Sequence, residues 1–156
     1  MEIHFAEARD LPAVRRLLES QHLPLDGVDE HVSTMVVARK GSEVVGAAAV
    51  ELYADGALLR SVVVVPAARG RGVGQRLTEA AVSLAQSLGM PAVYLLTTSA
   101  ESYFPKFGFV PTARDRVPAS VQQSIEFRFA CPASALVMWK PLNESAEEEQ
   151  DAIREA

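Results

Sequence analysis

An apolar run, a glycine-rich turn and an amphipathic helix follow one another in the middle of this chain. The run, residues 58–65, is apolar except for Arg60 and Ser61, and Pro66 ends it. The turn, from Arg69 to Gly74, reads Arg-Gly-Arg-Gly-Val-Gly, and apolar residues then recur at helical spacing. Free N–H groups and the dipole at a helix start attract anions, and glycines let a ligand approach the backbone closely. This order predicts a site for a ligand that carries a diphosphate.

Spacing separates the nucleotide-type ligands that use such a turn. A Walker loop ends in Gly-Lys-Ser/Thr, whereas Gly74 is followed by Gln75, which leaves no hydroxyl for Mg²⁺. A dinucleotide fingerprint needs a third glycine where this chain has Gln75 or Leu77, and it belongs in the first βα unit of a sheet. Here a helix and several strands are predicted before the turn. What remains is Arg-x-x-Gly-x-Gly, formed by Arg69, Gly72 and Gly74.

A second motif lies downstream of the predicted helix 73–88. Residues 92–97 are typical of a buried strand, and Thr98 with Glu101 forms a capping box that predicts a short helix. The triplet 107–109, Phe-Gly-Phe, follows this predicted helix. Together the two motifs resemble the pyrophosphate loop and the Tyr-x-x-x-Gly-Phe signature of the GCN5-related N-acetyltransferases (GNAT), which bind acetyl-CoA.

Composition narrows the class of protein. Of the 156 residues, 49% are apolar, which predicts one globular domain with a sizeable core. The net charge of −5 and the scattered arginines argue against a nucleic-acid surface. No apolar stretch has the length of a membrane span, and the N-terminus does not resemble a signal peptide. The one cysteine, Cys131, fits a reducing cytoplasm, and His4, His22 and His31 match no metal spacing, so they are assigned no role.

The chain alternates between strand and helix patterns. The predicted elements are strand 2–7, a helix capped by Asp10, loop 21–32, strands 34–39, 43–53 and 57–65, helix 73–88, strand 92–97, the short helix, strand 107–112, segment 118–129 and strand 134–140. For 118–129 we favour a helix over a strand, because Pro118 suits a first helical turn. We expect one domain, 1–142, and an acidic tail, 143–156, that is helical or disordered.

This order agrees with the acetyltransferase fold, so the expected class is α/β (α+β). The expected architecture is a single GNAT domain with a mixed sheet of about seven strands and helices on both faces. The resemblance implies that the sheet splays between its fourth and fifth strands, where the pantetheine of acetyl-CoA pairs with the fourth strand. It implies these cofactor-binding residues: Val62, Val63, Val64, Arg69, Gly70, Arg71, Gly72, Val73, Gly74, Gln75, Ser99 and Phe104.

The chain departs from the family at its usual catalytic positions. Family members commonly carry an acidic base on the fourth strand and a tyrosine acid four residues before the glycine of Gly-Phe. Here those positions hold Arg60, Ser61 and Phe104, and the tyrosine is displaced to Tyr103. Glu51, on the neighbouring strand, is the candidate base and Tyr103 the candidate acid. The alternatives are a solvated carboxylate for Glu51 and aromatic packing for Tyr103.

Arg60 is the leading candidate for contact with the acceptor. A guanidinium on a strand of Leu and Val is costly unless it meets an anion. A carboxylate on the acceptor would supply one, and so would an internal ion pair with Glu51; both alternatives stay open. The candidate substrate-binding residues are Arg60, Ser61, Thr97 and Thr98.

Residues 1–142 further resemble acetyltransferases of arsenic-resistance operons, notably over 58–64, 94–100 and 131–135. This resemblance implies direct transfer from acetyl-CoA, without a metal, to a small toxic amine that resembles an amino acid. An arsenic- or phosphorus-containing glutamate analogue would fit. The alternatives are a non-catalytic CoA-binding sensor and a peptide N-terminal acetyltransferase. A homodimer is a further open alternative, since family members often pair through sheet edges.

Overall fold

Seven strands form one mixed sheet in the computed structural model, which describes residues 1–98, 100–130 and 134–142. The strands are β1 (Glu2–Phe5), β2 (Met35–Lys40), β3 (Glu43–Tyr53), β4 (Gly56–Val64), β5 (Ala92–Thr97), β6 (Val110–Pro111) and β7 (Leu136–Pro141). The helices are α1 (Leu11–Ser20), α2 (Val73–Ser87) and α3 (Ala119–Gln122). The sheet order is β1-β2-β3-β4-β5-β7-β6, with β4 and β5 parallel.

By its contacts the chain divides into two units, of which the first comprises Met1–Glu51 and Leu59–Leu84. Gly41 takes a left-handed φ of +64° in the tight turn that joins β2 to β3, a conformation open to glycine. Helix α1 has an amphipathic sequence and buries Val14 and Leu18. A core cluster in this unit joins residues from α1, the segment after α1, β2, β3 and β4: Val14, Leu18, Val28, Met35, Val37, Val44, Ala47, Ala49 and Val63.

The second unit comprises Leu52–Leu58 and the chain from Ala85 onward. Strands β5 and β7 pair antiparallel along their length, and Tyr94 stacks on its cross-strand partner Trp139 at 5.9 Å between ring centroids. Such cross-strand aromatic pairs stabilise antiparallel sheets. The core cluster of this unit consists of Leu58, Ala92, Tyr94, Val117, Val121, Val137 and Trp139.

The sequence predictions hold for most elements. The two hairpins, the 92–97 strand and the helix after the glycine turn are confirmed within a residue or two. The helix predicted from Thr98 is wrong: residues 101–103 form turns, and a 3₁₀ turn follows at Phe104–Phe107. Thr97 rather than Thr98 caps the turn, because its Oγ1 accepts a hydrogen bond from Ala100 N–H at 2.9 Å.

Two further predictions need correction in extent. Strand β6 covers only Val110–Pro111, since Phe107 belongs to the 3₁₀ turn and Gly108 takes a left-handed φ of +92°. The preference for helix over strand in segment 118–129 is confirmed, but α3 is a single turn, followed by a π-helical turn at Glu126–Ala130. The tail 143–156 lies outside the described residues, as do Ser99 and Cys131.

Candidate active site

Two glycines of the turn after β4 take a left-handed backbone. Gly70 and Gly72 have φ values of +79° and +78°, and a Cβ on either would meet nothing within 4 Å. Their role is therefore conformational: they bend the chain so that α2 can start at Val73. At the start of α2, Arg76 N–H donates to the carbonyl of Gly72 at 3.0 Å. The N–H groups ahead of Arg76 have no partner within the helix and suit an anion.

Exposed cationic and polar side chains surround this turn. Arg69 is exposed, and its guanidinium donates to Gln21 Oε1 at 2.7 Å and to the Val64 carbonyl at 3.3 Å. Arg71 is exposed, and Gln75 donates to Glu79 Oε1 at 3.1 Å. Two positive charges beside a helix start add to the attraction of the dipole for phosphate.

Gly46, on β3, fixes the position of α2 against the sheet and was not singled out from the sequence. A Cβ there would lie 2.7 Å from Leu77 Cδ1 and 2.9 Å from the Val63 carbonyl oxygen. The missing side chain therefore allows the first turns of α2 to pack directly on β3 and β4. The available signal was a glycine within an apolar strand, a pattern that indicates close backbone approach.

On β4, the three valines expected to face the pantetheine are unequally buried. Val63 is buried in the core, with 4% exposure, whereas Val62 and Val64 are partly exposed. Ser61 precedes them with a left-handed φ of +60°, which is uncommon for a residue other than glycine. Such strained residues in strands redirect the chain and cluster at functional sites.

Arg60 and Glu51 form a buried ion pair between β4 and β3. Arg60 Nη1 lies 2.8 Å from Glu51 Oε2, and their side chains are 0% and 1% exposed. Arg60 Nε donates to Ser61 Oγ at 3.1 Å, and Nη2 donates to the Pro24 carbonyl at 3.3 Å. The internal ion pair, one of the two alternatives for Arg60, is thus present, and it replaces the solvated carboxylate considered for Glu51.

His31 joins this pair, although the sequence analysis assigned it no role. Its Nε2 lies 3.2 Å from Glu51 Oε2, the oxygen that also meets Arg60. The His31 side chain is 24% exposed, so it links the buried pair to the protein surface. A lone histidine in a loop carries no sequence signal for such a contact, because the path of residues 21–34 follows no periodic pattern.

In the second unit, Tyr103 and Phe104 belong to an aromatic cluster. Phe104 is 7% exposed and meets Tyr103 and Phe109 edge to face, with centroids 5.2 and 5.9 Å apart. Tyr103 also contacts Phe107, and Lys106 Nζ lies 4.6 Å from the centre of its ring. The aromatic-packing alternative for Tyr103 is therefore present, and its role as an acid stays a prediction.

The threonines at the end of β5 differ in exposure. Thr97 is 9% exposed and holds the following turn, whereas Thr98 is exposed.

Across residues 1–98, 100–130 and 134–142, no group of three His, Cys, Asp or Glu side chains is placed to hold a metal ion. In the same part of the chain, no helix has the length and hydrophobicity needed to cross a membrane.

Residues 31–111, just over half of the chain, match the family described as "Acetyltransferase (GNAT) domain". Amino-acid acetyltransferases of Neisseria meningitidis are 26% identical over 127 residues, which cover 76% of this chain but 29% of their own length. The chain thus spans less than a third of the length of these relatives.

Solved structures with the same fold include complexes with coenzyme A. N-acetylglutamate synthase from Neisseria gonorrhoeae, complexed with coenzyme A and N-acetyl-glutamate, superposes with a TM-score of 0.79 at 22% identity, over 92% of this chain and 35% of that one. Rv2747 from Mycobacterium tuberculosis, in complex with CoA, gives 0.78 at 24% identity, over 92% of this chain and 100% of that one. At these identities the likeness shows the fold.

Proposed function

Because the chain belongs to the GNAT acetyltransferases, we propose that it transfers an acetyl group from acetyl-CoA to the amine of a small, anionic, amino-acid-like molecule. The choice of acetyl-CoA as the donor is supported by the turn with two left-handed glycines ahead of α2. It offers backbone N–H groups and the charges of Arg69 and Arg71 to a diphosphate. The pantetheine would follow Val62 to Val64, and Gln75, Ser99 and Phe104 remain candidate contacts.

The proposal of an anionic, amino-acid-like acceptor is supported by the amino-acid acetyltransferase relatives and by the charge around Arg60. Glu51 neutralises Arg60, and His31 on the same carboxylate oxygen adds a second potential cation, so the cluster carries no net negative charge. Arg60 Nη2 is held by a backbone carbonyl at 3.3 Å, a contact that a carboxylate is expected to replace through a stronger, charge-assisted bond. Ser61, Thr97 and Thr98 remain candidates for hydroxyl contacts with the acceptor.

The reaction is a direct acyl transfer. The amine attacks the thioester carbonyl, the oxyanion of the tetrahedral intermediate must be stabilised, and the C–S bond then breaks. Tyr103 is the candidate for protonating the departing sulfur, and proton removal from the amine belongs to the Glu51 cluster. The finer proposal for the acceptor is an arsenic- or phosphorus-containing glutamate analogue.

The test is thiol release from acetyl-CoA by the purified protein with a panel of acceptors. The panel contains glutamate, arsenic- and phosphorus-containing glutamate analogues, the matched neutral compound glutamine, and a short peptide with a free N-terminus. We expect turnover that is higher with the anionic amino acids than with glutamine. Turnover confined to the peptide would favour N-terminal acetylation instead. Tight CoA binding without any turnover would favour the sensor alternative.

A further inference from the structure

The contact between His31 and Glu51 has the geometry of a histidine–carboxylate pair. A carboxylate only accepts hydrogen bonds when ionised, so the ring nitrogen that faces Glu51 Oε2 at 3.2 Å, Nε2, is the one that carries hydrogen. In the neutral ring the other nitrogen, Nδ1, then holds a lone pair. Within the described residues, Nδ1 of His31 has no hydrogen-bond partner. A proton-accepting atom is thus available at the partly exposed end of a buried charge cluster.

Glu51 itself is badly placed to take a proton from an acceptor. Its side chain is 1% exposed, and its Oε2 already meets both Arg60 and His31. Arg60 is anchored in turn by Ser61 Oγ and the Pro24 carbonyl, which fixes the direction of the carboxylate. Such anchoring suits a group that orients another side chain, as the carboxylate of a catalytic triad orients its histidine.

The segment around His31 also supports a fixed orientation. His31 interrupts a 3₁₀ helix at Asp29–Thr34, with φ −112° and ψ 18°. Its N–H donates to the Val28 carbonyl at 3.2 Å, which ties the kink to a residue that is 1% exposed. The other acidic groups of this segment are Asp29 and Glu30, and Asp29 is paired with Arg15 at 3.2 Å. The backbone of His31 is therefore held by this bond, and its ring is held by the contact with Glu51.

We propose that His31 accepts the proton of the acceptor ammonium at Nδ1, and that Glu51 is the residue that positions it. This inference rests on the proposed acetyl transfer. The ammonium passes one proton to Nδ1, and the nitrogen lone pair forms the new C–N bond with the thioester carbon. The C–S bond breaks, its electron pair leaves with sulfur, and the remaining excess proton on nitrogen passes to sulfur. The products are the amide and the CoA thiol, and His31 releases its proton to water.

The test compares two asparagine variants in the same loop, His31→Asn and His22→Asn, with the best acceptor of the panel. General-base catalysis contributes about 10²-fold or more, so we expect kcat of His31→Asn to fall by at least that factor. His22, which is exposed and has a φ of +57° that asparagine tolerates, serves as the matched control and should change kcat little. CoA affinity and the unfolding midpoint of both variants should stay near the wild-type values.

A second acceptor separates proton transfer from a structural role. The aminooxy analogue of the same acceptor is already neutral at pH 7 and needs no base, so His31→Asn should slow it by less than about 5-fold, far below the factor expected for a lost base. Added imidazole should restore part of the lost rate with the ordinary amine. An equal loss with both acceptors, or unchanged kcat, would overturn the role of His31 while leaving the acetyltransferase intact. Absence of wild-type turnover would overturn both proposals.

A measurement on the unmodified protein covers the case in which His31→Asn fails to fold. In ¹⁵N spectra of histidine-labelled protein bound to CoA, the neutral form of His31 should carry its proton on Nε2. A proton on Nδ1 would contradict the proposal, because the lone pair would then face the Glu51 carboxylate.

Discussion

At the scale of single residues, Arg60 is held by acceptors from three parts of the chain. These are the Glu51 carboxylate on β3, the Ser61 hydroxyl on β4 and the Pro24 carbonyl in the loop after α1. Because the guanidinium is buried, its position depends on all of them together. The pair thus orders the loop that carries His31 as well as the two strands.

Breaking the Arg60–Glu51 pair on one side should be costly. Glu51→Gln or Arg60→Met removes one charge of this buried pair and leaves the opposite one in place, and we expect the free energy of unfolding to fall by roughly 3–5 kcal/mol. The double variant should lose less than the sum of the two, because neither charge remains. Urea unfolding measures all three. As a control, Arg15→Met removes an exposed pair with Asp29 and should cost less than about 1 kcal/mol. Additive losses in the double variant would contradict this account.

The carboxyl group of Asp10 makes the free energy of unfolding depend on pH, which allows a second test of a single residue. Burial by itself raises the pKa of Asp10, but hydrogen bonds from Arg39 and from the Glu7 backbone, with the charges of Arg39 and Arg9, lower its pKa below the ordinary value. A carboxyl with a depressed pKa stabilises the fold above its unfolded pKa of about 3.9, and this stabilisation is lost as the pH falls through the folded value.

We therefore expect Asp10→Asn to lower the free energy of unfolding at pH 7 by about 1–3 kcal/mol, since Arg39 loses a charged partner at 2.6 Å. The difference from wild type should shrink as the pH drops below about 4, because wild-type Asp10 then becomes protonated. Urea unfolding between pH 2 and pH 7 measures it. A difference that is constant over this range would show that the charge of Asp10 is not responsible.

Sequence reasoning reached only part of this residue-scale picture. Arg60 was conspicuous as a charge within an apolar strand, and the ion pair with Glu51 was one of two alternatives. The contact with His31 was not foreseeable, because it depends on a kink in a loop. The sequence left Glu51 open between a solvated carboxylate and the partner of Arg60, because strand alternation alone does not identify which face of a strand another element covers.

At the scale of elements, the junction between β4 and α2 depends on glycines of two kinds. Gly70 and Gly72 are needed for their left-handed backbone, whereas Gly46 is needed for the space in which Leu77 packs. The first kind was predicted from the motif, since its spacing is typical of an anion-binding turn. The cap was predicted at Thr98, one residue too late: Thr97, the last residue of β5, accepts the hydrogen bond from Ala100 N–H.

Gly72→Ala tests the turn against a matched control. Alanine at a left-handed φ costs about 1–2 kcal/mol, and it should also distort the N–H groups expected to bind the diphosphate. Gly89→Ala introduces the same strain, at φ +82° and with nothing within 4 Å, after the end of α2. Both variants should lose similar stability, but only Gly72→Ala should weaken CoA binding measured by calorimetry. Equal CoA affinity in the two would contradict the assignment of the turn.

At the scale of the whole molecule, a protein of net charge −5 is proposed to bind an anionic donor. The fold class and most elements were predictable, because strand, glycine turn and helix occur in a fixed order with strong apolar patterns around them. The structure of segment 114–130 was less predictable from the sequence, since its helical turns are short and interrupted. Sequence periodicity defines long elements better than single turns.

The protein and the donor are both negatively charged, whereas Arg71 is positive. We therefore predict that the rate of CoA association depends on the salt concentration. Arg71→Gln and Arg116→Gln change the net charge equally, but only Arg71 lies in the glycine turn. We expect Arg71→Gln to slow CoA association several-fold at low ionic strength, and the difference to shrink at about 1 M salt, where charges are screened beyond about 3 Å. Stopped-flow measurements with both variants check it. The same effect in Arg116→Gln would indicate that net charge, and not the turn, attracts the donor.

The hydrogen bond between Arg69 and Gln21 has a thermodynamic consequence. Gln21 begins the loop that carries Pro24 and His31, so the proposed donor turn and the proposed acceptor side share one contact. If the Arg69 side chain binds a phosphate of the donor instead, its hydrogen bond to Gln21 is lost. The stability of that loop then depends on whether the donor is bound. Coupling of this kind is reciprocal: the factor by which donor binding alters acceptor affinity equals the factor by which the acceptor alters that of the donor.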